Sequence, residues 1–384
     1  NLFPKVVPSG IKFGTVTVFV DDEGYEVTTF RADGKYLDGR RPEEVFFSET
    51  ISDDLSRRDF TINALAEDLN GEIIDIFGGV SDINNKIIKA VGNPKERFKE
   101  DALRMLRAFR FSARYGFEIE PVTLEAIKEL KKETKSVSGD RIREEITQIL
   151  MTDNVFKAFS LMYEVGILQI ILPEVANLYG VEQNHPYHKY NVFEHTMRAV
   201  ENSFKSPIIR WTMLLHDIGK PVVRETVDGI DRFHKHNIHS IVLAEDILKR
   251  LRFPNSFIEE VFELILYHDS QIEPNPRAIR RFKSKLKIIQ LETLLKVKEA
   301  DIKAQNPELL DRLDILVEIL KISELEPPIT VKDLALNGYD IMNLGYQRKD
   351  VGLILNTLLE LVLGNPELNT KETLLKFAQK KRPV

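Results

Sequence analysis

The segment KEDALRMLRAFRF, residues 99–111, places Glu100 and Asp101 ahead of Arg104, Arg107 and Arg110, with Leu, Met, Ala and Phe between the arginines. A helix that only packs against a core does not need guanidinium groups at every third position. On one helix Asp101 and Arg104 share a face. A carboxylate accepts hydrogen bonds and a guanidinium donates them in a planar fork. Two outcomes are open. The pair closes on itself as an exposed ion pair, worth about 0.3–0.5 kcal/mol. Or it reads the edge of a flat base, since cytosine and adenine each offer an exocyclic amine to the acid and ring acceptors to the arginine.

A second arginine pair lies in SRRDFTINALA, residues 56–66. Ser56 followed by Asp59 has the form of a capping box, with Ser56 as N-cap and Arg57 and Arg58 in the first turn. Cations oppose the helix dipole there. They make sense if an anion arrives, because helix-start amides and guanidinium groups together cradle phosphate. The alternative is a surface pair bridging to Asp53 and Asp54.

All eight histidines (185, 188, 195, 216, 234, 236, 239 and 268) fall between residues 185 and 268. Such crowding suggests a metal or acid–base site. Adjacent side chains on a helix, such as His216 and Asp217, point about 100° apart and cannot chelate one ion alone. Ligands must converge from several helices. Imidazole and carboxylate without thiolate suit Mn, Ni, Co, Fe or Mg better than a structural zinc. Lys220, just past the pair, is placed to meet a phosphate.

These residues need a scaffold, and 384 residues suffice for two to four domains. Hydrophobic content is 43% and charged content 30%, ordinary for a globular protein with a sizeable core. No apolar run reaches membrane length, and the first residues lack the pattern of a signal peptide. The absence of Cys fits a reducing cytosol, so the expected location is cytoplasmic. A net charge of −6 argues against a generally basic coat and leaves local basic strips for nucleic acid. Residues 15–31 alternate around DDEG, the pattern of a β-hairpin, and Asn70-Gly71 marks the tip of a second. From about residue 98 the periodicity is helical, in FKEDALRMLRAFRFSARYGF, VTLEAIKELKKETK and DRIREEITQILM. Residues 173–190 read as a connection into a new unit, and Pro327-Pro328 should break any helix. The fold class expected is α+β.

The motifs YEVTTFR, DGRRP, DDLSRRDFTINALA, IIDIFGG, RFKEDALRMLRAFRF and RIREE stand in the order seen in class II tRNA nucleotidyltransferases. That family comprises the CCA-adding enzymes and the bacterial poly(A) polymerases. The resemblance covers nearly the whole chain. It implies a nucleotidyltransferase head with an antiparallel or mixed sheet (1–85), a helical neck (86–172), an HD domain (173–322) and a helical tail (323–384). It implies that Arg58, Asp59 and Asn63 hold ribose and triphosphate and that Asp75 and Gly79 belong to a hinge. Asp101 and Arg104 would select CTP or ATP, with Arg107 beside them; Arg141 and Glu145 would support that template. Glu26 resembles the third carboxylate of a catalytic set working with Mg²⁺. Partners implied are CTP, ATP and the tRNA 3′ end and elbow, the elbow meeting residues 331–363; no membrane is implied, and the oligomeric state is left open. The family's Gly-Gly-x-Val-Arg-Asp loop and Asp-x-Asp pair do not occur in the chain. The expectation is that the chain starts one or two strands into the catalytic domain, so that it polymerises poorly by itself while its parent is active. Rivals within the resemblance are a poly(A) polymerase and a CC-only or A-only enzyme.

YNVFEHTMRAV, WTMLLHDIGKP, FHKHNIHSIVLAEDIL, LILYHD and KEADIKA resemble the HD phosphohydrolases. His195, His216, Asp217 and Asp301 are the implied core ligands, and His236 and His268 would complete a second metal position. Metal-bound water would attack a phosphomonoester or cyclic phosphodiester. A phosphohydrolase with an inactive RNA-binding head is the further rival.

Overall fold

The computed structural model describes residues 3, 5–10, 14–33, 45–184, 189–305, 311–326 and 329–380. His185, His188, the DGRRP motif and Pro327-Pro328 lie outside the described residues. The chain forms two compact units, residues 1–177 with 247–253, and residues 178–246 with 254–384.

In the first unit, β1 (Lys5–Gly10), β2 (Thr15–Val20) and β3 (Glu23–Thr28) form an antiparallel sheet in sequence order. Asp21 and Asp22 join β2 to β3 with φ of 51° and 64°. A two-residue loop with both φ positive matches the twist of the strands it connects, so the hairpin expected from DDEG is formed. β4 (Arg31–Asp33) pairs with β5 (Val45–Phe47). β6 (Ala66–Glu67) and β7 (Ile73–Ile74) make the second expected hairpin, closed by the Asp68 carboxylate accepting from the amides of Asn70 and Glu72.

Helix α1 (Ile51–Ser56) corrects one expectation. Ser56 ends this helix instead of starting the next. The N-cap is Thr50, whose hydroxyl accepts from the Asp53 amide. Thr50-x-x-Asp53 and Ser56-x-x-Asp59 are the same pattern six residues apart, and the earlier copy caps. Arg57 and Arg58 therefore follow a helix C-terminus, where the dipole favours cations. Asp75 accepts from the amides of Gly79 and Val80 at 2.7 and 3.0 Å and so starts α2 (Gly79–Asn84). A Cβ on Gly79 would lie 2.2 Å from the Thr61 carbonyl oxygen, so only glycine fits there.

Strand β8 (Ile87–Ile88) leads to α3 (Pro94–Glu100), and α4 covers Leu103–Tyr115. The helical stretch expected to run unbroken through Asp101 is interrupted there. Asp101 is extended, with φ −148° and ψ 106°, and its carboxylate accepts from the Leu103 amide at 3.0 Å. β9 (Glu118–Ile119), parallel to β8, is followed by α5 (Pro121–Leu130), α6 (Gly139–Leu150), α7 (Val155–Glu164), α8 (Leu168–Ile171) and α9 (Pro173–Ala176). Met105, Leu106 and Phe109 are buried where α4 packs on α6 and α7. Each such side chain contributes about 1.5–3 kcal/mol on burial.

The second unit is helical apart from one hairpin, β10 (Glu225–Val227) and β11 (Ile230–Arg232). α10 (Val192–Asn202), α11 (Pro207–Leu215) and the short α12 (Lys220–Val223) precede it. α13 (His236–Arg250, whose residues from 247 on belong to the first unit), α14 (Asn255–Tyr267), α15 (Pro276–Lys285), α16 (Leu291–Ala304) and α17 (Arg312–Leu325) follow. α10 and α11 pack on α16, and α11 on α14, around the fully buried Trp211 and Phe193. The last helices are α18 (Gly338–Asn343), α19 (Arg348–Gly364) and α20 (Lys371–Lys380). They enclose Ile341, Leu358, Val362 and Leu374. Among the described residues no helix is long and apolar enough to cross a membrane. The small sheets followed by helices bear out the α+β class.

Candidate functional sites

A cleft of about 460 Å³ opens in the first unit, lined by Arg57, Arg58, Asp59, Asn63, Asp101, Leu103, Arg104, Arg107, Phe111 and Arg141. Five arginines face two aspartates there, which makes the cleft a receptor for an anion. The loop after α1 supplies Arg57 to Asn63, the α3–α4 junction supplies Asp101, and α4 and α6 supply the rest. Arg57 and Arg58 both pair with Asp54, at 2.5 and 3.0 Å. Burial pushes the Asp54 carboxyl up, but the two guanidinium groups hold it below the ordinary range. Asp53 instead accepts from Thr50 and Ser48, so the expected bridging of both acids by the arginine pair is realised at Asp54 only.

The three guanidinium groups of α4 tie that helix to its neighbours. Arg104 donates to Glu100 at 2.7 Å and to the Arg57 carbonyl at 2.9 Å. Arg107 Nε meets Asp59 Oδ2 at 2.6 Å, and Asp59 Oδ1 accepts from Asn63 at 3.1 Å. Arg110 Nε approaches Glu145 Oε2 at 2.7 Å. Asp101 takes both guanidinium nitrogens of Arg141, at 3.2 and 2.7 Å. Asp101 and Arg104 are thus not paired with each other. They are held separately in the lining of the cleft, each stiffened by a partner from another element.

Glu145 is buried on α6, behind the cleft and not in its lining. Burial raises its carboxyl and lowers the Arg110 guanidinium, each opposed by the other's charge. Deleting one partner of a buried pair strands the other charge. Glu145→Ala is therefore expected to cost about 3 kcal/mol, read by urea unfolding; an unchanged midpoint would show that the pair holds nothing. Glu26 lies on the exposed strand β3 opposite Thr17 and does not line the cleft. Among the described residues it belongs to no group of ligands able to hold an ion. Arg57, expected with Arg58 at an anion cradle, lines the cleft; Leu103 and Phe111 were not expected there and carry no chemical signal.

In the second unit six expected ligands from five segments converge. His195 comes from α10, His216 and Asp217 follow α11, His236 opens α13, His268 follows α14 and Asp301 is on α16. Each imidazole Nδ1 faces a backbone carbonyl: His195 that of Ala304 (3.2 Å), His216 that of Met213 (2.7 Å), His236 that of Phe233 (3.0 Å) and His268 that of Ile265 (2.7 Å). A carbonyl only accepts, so each Nδ1 carries the proton and each Nε2 turns a lone pair inward. Those lone pairs face one another: His195 Nε2 and His216 Nε2 are 3.3 Å apart, and His236 Nε2 and His268 Nε2 are 3.2 Å apart. Two inward lone pairs at that distance repel unless a cation or a proton sits between them. Asp301 Oδ1 is 3.0 Å from His195 Nε2. Asp217 stands between the pairs, with Oδ2 3.2 Å from His216 and Oδ1 3.3 Å from His236. The donor set fits divalent ions with nitrogen and oxygen ligands.

The carboxylates favour a cation among these imidazoles, and where a proton serves as that cation His216 Nε2 carries it. Burial pushes the His216 imidazole down, but Asp217 and Asp301 more than offset it and raise it to about 10. Burial, then His216 and His236, lower His268 to about 4. Burial opposes the charge on Asp217 and Asp301, yet the histidines hold both carboxyls well below the usual range. A pocket of about 400 Å³ borders the cluster through His268, Asp269, Lys298 and Asp301. Burial lowers the Lys298 ammonium to about 8. Asp269 joins His236 and His268 in a possible ligand group; the repeated His-Asp dipeptide was its signal in the sequence. Lys220 points to Asp217, at 2.7 Å. His234 and His239 are exposed.

Comparison with known proteins gives three family matches: the poly A polymerase head domain over residues 1–89, the probable RNA and SrmB-binding site of polymerase A over 116–179, and the HD domain over 187–321. The CCA-adding enzyme of Bacillus velezensis is 33% identical over 378 residues, 97% of this chain and 83% of that protein. That of Staphylococcus epidermidis is 31% identical over 381 residues, 98% and 85% of the two chains. A stronger match to the CCA-adding enzyme of Lactobacillus helveticus, 45% identical, is local, spanning 48% of this chain and about half (46%) of that protein's length. Among solved structures, the Bacillus stearothermophilus CCA-adding enzyme in complex with CTP superposes with a TM-score of 0.71 at 27% identity, over 99% of this chain and 84% of that one.

Proposed function

The chain belongs to the CCA-adding enzymes, a family of tRNA nucleotidyltransferases, and we propose on that premise that it serves to extend the tRNA 3′ end with C and A from CTP and ATP. In this reading the 3′ hydroxyl attacks the α-phosphate. A bond forms from the 3′ oxygen to that phosphorus, the bond to the bridging oxygen breaks, and pyrophosphate leaves with the hydroxyl proton passing to solvent. The observation that carries it is the cleft whose lining holds Asp101 and Arg104 with separate partners, while Arg58, Arg107 and Arg141 supply positive charge. Asp101 accepts from the exocyclic amine of cytosine or adenine. Arg104 donates to the ring acceptors. Arg58, Asp59 and Asn63 hold the ribose and triphosphate, and Arg141 and Glu145 brace the template wall. Mg²⁺ is the ion of the polymerase reaction in this reading. The described residues do not assemble a site for it around Glu26; what they offer is binding and orientation. The same reading divides the chain at residues 85, 172 and 322, assigns the tail to the tRNA elbow, and places the protein in the cytoplasm.

The test uses the natural full-length protein and a tRNA lacking its terminal CCA. CTP alone should add two residues, and ATP alone should then add one. Continued A addition would move the assignment to a poly(A) polymerase, arrest after CC to a CC-only enzyme, and A addition confined to a tRNA already ending in CC to an A-only enzyme. No incorporation on either tRNA would overturn it.

The inward-facing Nε2 atoms favour a second activity in the same chain. The six-ligand cluster would hold divalent metal, with His195, His216 and Asp301 offering one set of ligands, His236 and His268 another, and Asp217 standing between them. Mn, Ni, Co, Fe or Mg suits these donors. Such ions, when bound, supply an activated water for phosphoester hydrolysis. The chain's own residues set the imidazole tautomers and shield the ions from bulk water.

A further inference from the structure

Lys220 poses a problem that neither activity explains. Its ammonium is buried, its side chain 6% exposed. Burying an ammonium is costly unless it is paired and hydrogen-bonded. It has two polar partners: Asp217 Oδ2 at 2.7 Å and Gln183 Oε1 at 2.6 Å. The Phe233 ring lies 5.2 Å from it. Gln183, itself buried, has its amide orientation fixed, because its Nε2 donates to the Tyr190 carbonyl at 3.2 Å. Its oxygen must therefore face the ammonium.

The next residue, Asn184, is clamped to the β10–β11 hairpin. Its amide and its side-chain nitrogen donate to Asp231 Oδ2 at 2.8 and 3.0 Å, and the Asp231 amide returns a bond to the Asn184 carbonyl at 3.1 Å. The Asp231 side chain is wholly buried. Its carboxylate also accepts from Arg224 at 3.1 and 3.0 Å and from Thr226 at 2.6 Å. A charge with that many donors does not move. A rigid path thus runs from Asp231 through Asn184 and Gln183 to Lys220 and ends on the one carboxylate shared by both histidine pairs.

We infer that Gln183 and Asp231 are positioning residues: they fix Lys220 so that the Asp217 carboxylate stays divided, one oxygen toward His195 and His216 and the other toward His236 and His268. The inference rests on the reading of this cluster as a two-ion site. Without Gln183 the ammonium loses one of two anchors and the carboxylate is free to rotate onto a single pair. Metal occupancy should then fall from two ions toward one, with the first ion little affected.

The test titrates the full-length protein with Mn²⁺ alone, counting bound ions by metal analysis and recording the coupled electron paramagnetic resonance signal of an ion pair. Wild type should bind two ions and give the coupled signal. Gln183→Leu should keep one ion at wild-type affinity, weaken the second at least about tenfold and lose the coupling. Asp231→Asn, which keeps shape and most hydrogen bonds, should weaken the second ion in the same direction and serves if Gln183→Leu fails to fold. Gln183→Glu, which keeps an oxygen beside the ammonium but gives up the donor to the Tyr190 carbonyl, should keep the second ion; a role exercised through the Tyr190 bond alone would lose it. Two ions at wild-type affinity in the folded variants would overturn the inference and leave the two-ion reading intact. No ion in wild type would remove both.

Discussion

Asp101→Ala in the full-length protein should lower kcat/KM for CTP and ATP by about ten- to a hundredfold, the loss expected for a hydrogen bond to a charged group, while UTP and GTP incorporation changes little. The preference for CTP over UTP therefore narrows. The asymmetry follows from chemistry. Cytosine and adenine present an amine where uracil and guanine present a carbonyl, so only the favoured bases use the carboxylate. Leaving a buried recognition group unpaired is also what excludes the wrong base. Asp101→Asn sharpens the test. Its amide oxygen still accepts from the Leu103 amide, so the start of α4 survives, while its nitrogen can donate to the uracil carbonyl. UTP use should rise above wild type. Arg104→Ala should weaken all favoured nucleotides, and it also frees the Arg57 carbonyl and Glu100. Steady-state incorporation into a tRNA lacking CCA measures each case. An unchanged CTP to UTP ratio in both Asp101 variants would remove that residue from base selection.

How much of this was legible beforehand depends on how local the determinant is. The β2–β3 hairpin was legible because Asp21-Asp22 and the flanking alternation decide it within a few residues. The apolar stripe of α4 was legible from its periodicity. The inward-facing histidines were suggested by their crowding, although their convergence depends on five separate segments. What could not be read was decided at long range. Asp101 breaks the helix where Arg141, forty residues on, grips its carboxylate. Ser56 and Thr50 present the same capping pattern, and the choice between them lies in which segment is free to coil. Gln183 carries no signal in the sequence; its role emerges only from the buried ammonium it touches.

Asp217→Ala should abolish binding at both ion positions and reduce hydrolysis of bis-p-nitrophenyl phosphate with Mn²⁺ or Ni²⁺ by more than a hundredfold, exceeding the 10–100-fold typical of residues that only support ligands. Extension of tRNA should stay within about twofold, since the cleft residues and this cluster have no member in common. The variant also leaves Lys220 buried without its counter-charge, at a cost of about 3–5 kcal/mol, so lost activity alone would be ambiguous. Asp301→Asn resolves it. Asp301 contacts His195, His216 and Gln305 and does not touch Lys220. It should forfeit the ion beside His195 with a much smaller drop in stability. Hydrolysis lost in both variants, with unfolding midpoints lowered chiefly in Asp217→Ala, separates metal chemistry from packing. Hydrolysis persisting in a folded Asp301→Asn protein would mean that the ion beside His195 is not the one that activates water, and the attacking oxygen would then have to arise at His236 and His268.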